Sequence, residues 1–251
     1  MNTRNPTINF IFMQIIPIKT RKLNPPQDDL YKILDQYCPK LKDGDVLLIT
    51  SKILAIHQGL CVPVKDVKNK DELIKSEADV SIPRKECPGE YAMLTIKNNT
   101  LIPSAGIDES NANGYYILWP KNPEKEAKKI CLYLKKKFKI KKLAIIITDS
   151  HTTPLRSGTI GITIGFYGLN PLRDYRGKSD LFGRKLKVSQ VNIVDSLASI
   201  ATLAMGEGKE STPLALIENA KVEFTTKETF KNLFIPFKED IYYPLLKYFK
   251  K

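Results

Sequence analysis

The sequence predicts an α+β fold in which mixed sheets pack against helices, with two interleaved subdomains. One observation is that the predicted strands and helices follow one another without the regular strand–helix–strand repeat of a doubly wound sheet. Another is that 251 residues, 42% hydrophobic and 27% charged, can bury a sizeable core and are typical of a globular protein. The chain contains no internal repeat, low-complexity tract or evident linker, so we treat residues 1–251 as a single domain.

The first half of the chain predicts two strands separated by a helix. Residues 8–18 are mostly apolar and predict the first strand. A helix is predicted over 28–37, because prolines precede it and acidic residues open it, where the helix dipole favours negative charge. A turn at Gly44 then leads into a long buried strand, whose apolar course is interrupted by Ser51 and Lys52.

The second half of the chain adds helices and buried strands. A strand runs into a small-residue loop within 98–114, and a lysine-rich helix follows within 125–142, where apolar residues recur near helical spacing. Residues 142–148 predict a buried strand, and the alternating glycines of 158–169 predict a strand that another backbone or a ligand approaches closely. The remaining elements are a glycine-ended helix at 191–208, a strand at 213–218 and an amphipathic tail at 242–249.

Charge and composition narrow the classes of function. The net charge of +13 and the pI of about 9.4 indicate attraction to polyanions, although a lysine-rich solvated surface explains them equally well. The sequence has no basic face interleaved with aromatic residues and no nucleic-acid reader motif, so nucleic-acid binding is disfavoured. No apolar run approaches the roughly 20 residues that a membrane span needs.

The scattered cysteines and the two histidines disfavour a zinc site. The four cysteines form no CxxC pair. Dispersed thiols without a targeting segment indicate a cytoplasmic protein. Oxygen ligands therefore remain for any metal, and they suit Mg²⁺ or Mn²⁺ that accompanies a nucleoside triphosphate.

Two aspartates are the strongest candidates for such a metal site. Asp149 follows the apolar run IIIT, and Asp108 follows IPSAGI, so each is predicted where a buried strand meets a loop. A carboxylate at such a position is costly to desolvate unless a cation or hydrogen-bond donors accompany it. Taken alone, turn capping through backbone hydrogen bonds explains each aspartate at least as well.

Three other motifs carry weaker signals. GEGKES at 206–211 is not a P-loop, because the first glycine of that motif is missing and Glu210 stands where a Ser or Thr is needed. His151 is more typical of a hydrogen-bonded side chain than of a general base. The arginine-rich loop at 170–186 suits carboxylates or phosphates, or an internal web of ion pairs. No GxSxG elbow is present, and no cysteine has a base beside it, so covalent catalysis is disfavoured.

Taken together and in order, several blocks resemble the coenzyme F420:L-glutamate ligases, a family of γ-glutamyl ligases. The blocks are DGDVLLITSKILA at 43–55, AGIDESN at 105–111, PLRSGT at 154–159 and GITIGFYGLNPLRDYRGKSDLFGRKL at 161–186, with MGEG closing the main helix. The resemblance implies an α+β homodimer of interlocking subdomains. It also implies that GTP, with ATP left open, and divalent Mn²⁺ or Mg²⁺ serve to join L-glutamate to a deazaflavin precursor through an acyl phosphate.

The resemblance also assigns roles to individual residues. Asp108 and Asp149 would bind metal together with Ser150 and with Glu207, which stands where the family typically has glutamine. Arg156, in the PLRSGT block, is taken as catalytic together with the two aspartates. Residues 16–19 would line the nucleotide site. The nucleotide-binding residues would be Ser51, Lys52, Asn111, Gly206, Glu207, Gly208 and Lys209.

Three departures from the family pattern leave the acceptor open. Thr153 and Leu155 stand where the family usually has an arginine and an aromatic residue, and Ile56 stands where it commonly has a lysine. A folate is therefore a second candidate acceptor, because both acceptors carry glutamate-like carboxylates on a heteroaromatic compound. The remaining alternative is a non-catalytic protein that binds nucleotide or nucleic acid without turnover.

Overall fold

A mixed sheet with helices on both faces forms the centre of the structure, a computed structural model that describes residues 12–249. The strands are β1 (Gln14–Ile18), β2 (Asp45–Thr50), β3 (Cys61–Pro63), β4 (Val80–Ile82), β5 (Leu94–Lys97), β6 (Thr100–Pro103), β7 (Tyr115–Ile117), β8 (Leu143–Thr152), β9 (Thr159–Tyr167), β10 (Leu172–Asp174), β11 (Gln190–Asn192) and β12 (Leu214–Glu218). The α-helices are α1 (Leu30–Tyr37), α2 (Ser51–His57), α3 (Lys70–Glu77), α4 (Pro123–Phe138), α5 (Ile193–Met205) and α6 (Tyr243–Leu246). This architecture confirms the predicted α+β class.

The central sheet has five strands in the order β1-β12-β2-β8-β9. β2 and β8 run parallel and their pairing ends where Thr50, the last residue of β2, lies opposite Thr148; the other neighbouring pairs are antiparallel. Three smaller sheets lie outside it: β3 with β7, β4 with β5 and β6, and β10 with β11. The long connection between β2 and β8 therefore carries two small sheets and α4 before it returns to the central sheet.

The core lies on both faces of β2 and β8, which explains their unbroken apolar runs. On one face, Leu47 and Ile145 join a buried cluster that includes residues of α1 and α4. On the other face, Leu48 and Ile146 join a cluster built on α5. Because alternate residues of a strand point to opposite faces, the strand that ends at Thr152 delivers its later side chains alternately to these two sides.

Glycines in β9 allow both helices to approach the sheet. A Cβ on Gly161 would lie 2.3 Å from the carbonyl oxygen of Ala198 in α5, and one on Gly165 would lie 2.5 Å from the carbonyl carbon of Pro123 in α4. These two glycines face opposite sides, because a bulge between Ile147 and Thr148 of β8 shifts the register of β9. The predicted close approach to this strand is therefore confirmed, and the partner is backbone.

The predicted long strand through residues 45–56 is wrong in its second half. β2 ends at Thr50, and Ser51 begins α2. Ile53, Leu54 and Ile56 are buried in this helix, so all sides of it contact protein. A short unbroken apolar run does not distinguish a buried strand from a buried helix, because the periodicity that separates them is missing.

The predicted position of Asp149 beyond its strand is also wrong. β8 continues through Asp149 to Thr152, and Asp149 pairs with Ile162 of β9. The polar residues did not end the strand because β9 pairs with every residue of β8 from Thr148 to Thr152. The helix predicted from 28 begins at Leu30, because Asp29 is its N-cap and accepts a hydrogen bond of 2.9 Å from the backbone N–H of Tyr31.

The other elements lie close to their predicted positions. The lysine-rich helix is α4, with Ala127, Ile130 and Leu134 buried and its lysines toward solvent. The glycine-ended helix is α5, and the strand at 213–218 is β12. Of the strand predicted at 8–18, Gln14–Ile18 forms β1, and residues 8–11 lie outside the described part of the chain. No helix within residues 12–249 is both long and apolar enough to cross a membrane.

Candidate functional site

The parallel pair β2 and β8 brings two predicted site residues together. Ser51 follows the last residue of β2, and Asp149 follows Thr148, the residue opposite that end. The hydroxyl of Ser51 donates a hydrogen bond to the Asp149 carboxylate, which also accepts one of 2.8 Å from the backbone N–H of Ser150. The carboxyl edge of parallel strands is where open α/β sheets commonly bind ligands.

Asp108 reaches the same place from the connection between β2 and β8. Its backbone forms an isolated antiparallel bridge with Ile117, with hydrogen bonds of 3.0 and 2.8 Å. One carboxylate oxygen of Asp108 accepts a 2.7 Å hydrogen bond from the backbone N–H of Ser110. The other lies 2.6 Å from Nζ of Lys52, in the first turn of α2. Asp108 is therefore held by the backbone on one side and by a cation on the other.

The two carboxyl groups have opposite pKa shifts. Burial raises the pKa of Asp149 to about 7, and the nearby charge of Asp108 adds to this rise, while the hydrogen bonds from Ser150 and Ser51 oppose it. Burial would also raise the pKa of Asp108, but the charge and hydrogen bond of Lys52 outweigh it, and the net shift is downward. Within residues 12–249, Asp149 forms no ion pair.

The loop that follows α5 is joined to this site by two hydrogen bonds. The helix ends at Gly206, whose φ of 77° is in the left-handed region that favours glycine. The hydroxyl of Ser150 donates to the carboxylate of Glu207. The side-chain amide of Asn111 donates to the carbonyl oxygen of Gly208 at 2.9 Å. The predicted residues Ser150, Glu207, Asn111 and Gly208 are thus brought together in two pairs.

Residues 16–19, which are predicted to line the nucleotide site, lie beside this loop. The backbone N–H of Thr20, just after β1, donates a 2.9 Å hydrogen bond to the carbonyl oxygen of Ser211. The chain thereby connects the end of β1 to the segment that follows the glycines.

The donor set fits a hard divalent cation at the two aspartates. Asp149 is a half-buried carboxylate without an ionic partner in the described chain. The hydroxyl of Ser51 contacts it, and the Asp108 carboxylate is near enough for its charge to act on it. Such all-oxygen donors suit Mg²⁺ or Mn²⁺. Within residues 12–249, no three His, Cys, Asp or Glu side chains converge into a metal-binding group. Glu207 accordingly contacts the hydroxyl of Ser150, and it does not join the aspartates as a third carboxylate.

Two predicted residues lie apart from these contacts. Arg156 is exposed in the turn between β8 and β9, where its backbone N–H donates to the carbonyl of Thr153 at 3.1 Å. Lys209 is exposed in the loop after α5. Neither side chain forms a hydrogen bond or ion pair with any part of the chain that the structure describes.

Ser110 is a site residue that the sequence reasoning missed. Its carbonyl oxygen and its hydroxyl accept hydrogen bonds of 2.8 and 3.1 Å from Nζ of Lys52. The available signal was its position two residues after Asp108 in the AGIDESN block. The hydrogen-bonded side chain expected at His151 is not found: its half-buried ring forms no hydrogen bond within residues 12–249. Burial lowers its pKa, while the charge of Asp195 opposes that shift.

The arginine-rich segment forms an ordered arm outside the site. Tyr175 and Gly177 donate backbone hydrogen bonds to Ser189 and Leu186, so the segment folds back on itself. Only part of the predicted web of ion pairs forms, namely the pair between Asp174 and Arg176 at 2.7 Å.

Comparison with known proteins identifies the family of this chain. Residues 17–219 match the family described as F420-0:Gamma-glutamyl ligase. The chain belongs to this family. The match covers both aspartates, Lys52 and the loop after α5, so the resemblance seen in the sequence blocks is confirmed.

Individual relatives in the family extend over most of the chain. The chain is 30% identical to the coenzyme F420:L-glutamate ligase of Methanocaldococcus jannaschii, over 86% of this chain and 90% of the relative. It is 31% identical to that of Methanococcus maripaludis strain S2, over 92% and 97% of the two chains. It is 35% identical to that of Methanosarcina mazei, over 70% and 74%.

Proposed function

We propose that the chain is a γ-glutamyl ligase that joins L-glutamate to the coenzyme F420 precursor at the expense of GTP or ATP. The observation that carries this proposal is the pairing of Asp149 with Ser51 and of Asp108 with Lys52 at one edge of the sheet. These residues lie inside the region shared with ligases of the family. The coenzyme F420:L-glutamate ligases of Methanocaldococcus jannaschii and Methanococcus maripaludis match this chain over 90% and 97% of their own length.

The proposed reaction has two steps. A carboxylate oxygen of the acceptor attacks the γ-phosphorus of the nucleotide, the bond to the β-phosphate oxygen breaks, and an acyl phosphate and a nucleoside diphosphate form. The amine of L-glutamate then attacks the acyl carbon, phosphate leaves with the bonding pair, and the amine loses a proton to give the amide. Neither step needs a nucleophilic side chain, which agrees with the lack of a motif for covalent catalysis.

Asp108 and Asp149 would hold the divalent Mg²⁺ or Mn²⁺, with the hydroxyls of Ser51 and Ser150 nearby. When bound, the cation supplies neutralisation of the charge on the phosphoryl oxygens. Lys52 supplies a positive charge at the same edge, and Asn111 holds the loop after α5 against the Asp108 loop. The chain thus contributes positioning and electrostatics.

A folate is the second candidate acceptor. The observation that favours it is the turn after β8, where Leu155 is fully exposed at a φ of 62° and Thr153 replaces the arginine usual in the family. A turn without the cation and the aromatic ring presents a different surface to the acceptor.

The experiment is a mass-spectrometric assay with Mg²⁺ or Mn²⁺, GTP or ATP, L-glutamate, and the F420 precursor and a folate in parallel. We expect a product heavier by one glutamyl unit on the F420 precursor. A product heavier by one glutamyl unit on the folate alone would show that the folate is the acceptor. Lack of product with both acceptors, in protein that binds nucleotide, would overturn the ligase proposal.

A homodimer is part of the proposal. The arm at 175–189 carries Leu181 and Phe182 at its tip, with 98% and 95% of their surfaces exposed. Backbone hydrogen bonds join the two sides of this arm, and its apolar tip is presented to solvent. Neighbouring exposed apolar side chains are typical of surfaces that contact another chain.

A further inference from the structure

The ammonium group of Lys52 has three acceptors in the structure. Nζ lies 2.6 Å from the carboxylate of Asp108, 2.8 Å from the carbonyl oxygen of Ser110 and 3.1 Å from the hydroxyl of Ser110. These contacts use the three donors of the ammonium group. Its side chain is 24% exposed, so the pair is partly shielded from solvent.

The ammonium group of Lys52 pairs with only one of the two carboxylates of the site. Asp108 is ion-paired with Lys52, whereas Asp149 has no ion pair within residues 12–249 and is raised in pKa by burial and by the charge of Asp108. A divalent cation bound at the two aspartates would use the carboxylate of Asp108, whose Oδ2 lies 2.6 Å from Nζ of Lys52. It also repels the ammonium group, so Lys52 and the metal compete for one carboxylate.

We propose that Lys52 is an exchangeable counter-ion, which neutralises Asp108 in the metal-free protein and transfers to the nucleotide phosphates when a divalent cation takes its place. This inference rests on the proposed function. The lysine stem is long and flexible, and its ammonium is a point charge that carboxylate and phosphate oxygens accept alike. Lys52 lies in the first turn of α2, so the backbone stays in place while the side chain changes partner.

The exchange predicts opposite effects of one substitution on two ligands. Removing the charge with Lys52→Met frees the Asp108 carboxylate, so the protein binds Mn²⁺ alone roughly tenfold more tightly than the wild type. The same substitution weakens binding of GTP at saturating Mn²⁺, because the phosphate partner that the exchange supplies is lost. A residue with only a structural role would not strengthen binding of the metal.

Two further variants separate charge from structure. Lys52→Gln keeps a donor for the carbonyl of Ser110 but lacks the charge, so it strengthens Mn²⁺ binding as Lys52→Met does. The matched control is Lys70→Met, because Lys70 forms a 2.8 Å ion pair with Glu109, the neighbour of Asp108. That control removes the same charge from a helix that contacts the same loop, and it leaves Mn²⁺ affinity within about twofold of wild type, as expected for an exposed pair.

Free Mn²⁺ is followed by electron paramagnetic resonance, and GTP binding by calorimetry, on variants whose thermal unfolding shows that they are folded. Equal or weaker Mn²⁺ binding by both folded Lys52 variants overturns the exchange. If that happens while wild-type protein binds Mn²⁺ and Asp108→Asn does not, the metal-dependent ligase proposal still stands. If the wild type and Asp108→Asn bind Mn²⁺ equally poorly, the metal site and the exchange both fail.

Discussion

The side-chain amide of Asn111 lies 2.9 Å from the carbonyl oxygen of Gly208. This hydrogen bond joins the loop that carries Asp108 to the loop after α5, two segments that are far apart in sequence. Asn111 has a φ of 54°, a backbone conformation that asparagine tolerates better than most residues. An asparagine at this position therefore both accommodates the left-handed backbone conformation and supplies the N–H for the hydrogen bond to Gly208.

Replacing Asn111 with aspartate tests whether this bridge matters for nucleotide binding. Aspartate tolerates the same backbone conformation but has no N–H to donate to Gly208. We expect the KM for the nucleotide to rise about 5- to 10-fold, the equivalent of one lost hydrogen bond of about 1 kcal/mol. Asn113→Asp is the matched control, since Asn113 is exposed in the same loop with a φ of 50°. Equal kinetics of the two variants would contradict a role for the bridge.

Asp149→Asn is expected to stabilise the metal-free protein at alkaline pH and to abolish ligase activity. The pKa of Asp149 is raised from 3.8 to about 7 in the folded chain. The stability that its protonated carboxyl group contributes is therefore fully present below the unfolded pKa and is lost as pH rises through 7. At pH 8 the variant should be more stable by about 1–3 kcal/mol, since one pKa unit corresponds to about 1.4 kcal/mol. The difference should vanish toward pH 4.

Chemical denaturation in EDTA at pH 4 and pH 8 measures this effect. Asp43→Asn provides a control of opposite sign, because backbone N–H groups of Lys142 and Lys141 lower the pKa of Asp43. Its stabilising contribution is present above the unfolded pKa and is lost as pH falls, so this variant should lose stability at pH 8. A loss of stability in both variants at pH 8 would be inconsistent with an unpaired Asp149.

Gly161→Ala should destabilise the fold and disturb the site. The added methyl group would lie 2.3 Å from the carbonyl oxygen of Ala198, so β9 or α5 must move. We expect a cost of about 1–3 kcal/mol or more in the free energy of unfolding, as for overpacked cores. Because Gly161 pairs with Ser150, the shift should also reduce activity.

Gly177→Ala separates this clash from backbone strain. Gly177 has a φ of 78° in the exposed arm, and nothing lies within 4 Å of the position that an added methyl group would take. The cost there should be limited to roughly 1 kcal/mol of left-handed strain. Urea denaturation of both variants measures the difference, and a smaller cost at Gly161 than at Gly177 would refute the packing argument.

Phe182→Asp is expected to convert a dimer into monomers. Phe182 is almost fully exposed at the tip of the arm, and a buried charge in an interface is strongly unfavourable. Light scattering coupled to size exclusion gives the mass directly. Ile241→Asp is the control, because Ile241 is 84% exposed but lies beyond the residues that match the family. A wild-type monomer, or a dimer that survives Phe182→Asp, would contradict the proposed role of the arm.

Much of the secondary structure could be predicted because local patterns determine it. The glycine-ended helix α5 and the lysine-rich α4 have clear helical spacing, and their apolar faces are buried as expected. The change from β2 to α2 at Thr50 was missed, because both sides of that junction are buried and the apolar run shows no periodicity. Tertiary packing decides such a junction.

The contacts that the site residues make were harder to predict from the sequence. The blocks indicated Asp108, Asp149 and Lys52, but the 2.6 Å pair between Lys52 and Asp108 depends on how the long connection folds back onto α2. The contact of Ser150 with Glu207 likewise depends on the packing of α5 against β9. The side chain of Arg156 has no protein partner in the described chain, so its predicted role depends on ligands that the sequence does not contain.

The long connection between β2 and β8 has an evolutionary consequence. It carries Asp108 and two small sheets, yet Asp149 lies in β8, a strand of the central sheet, beside the end of its parallel neighbour β2. Changes in this connection can therefore alter the surroundings of one carboxylate while the other keeps its place in the core. Substitutions in the connection can therefore change substrate preference with little effect on folding, because peripheral segments tolerate variation that a packed sheet does not.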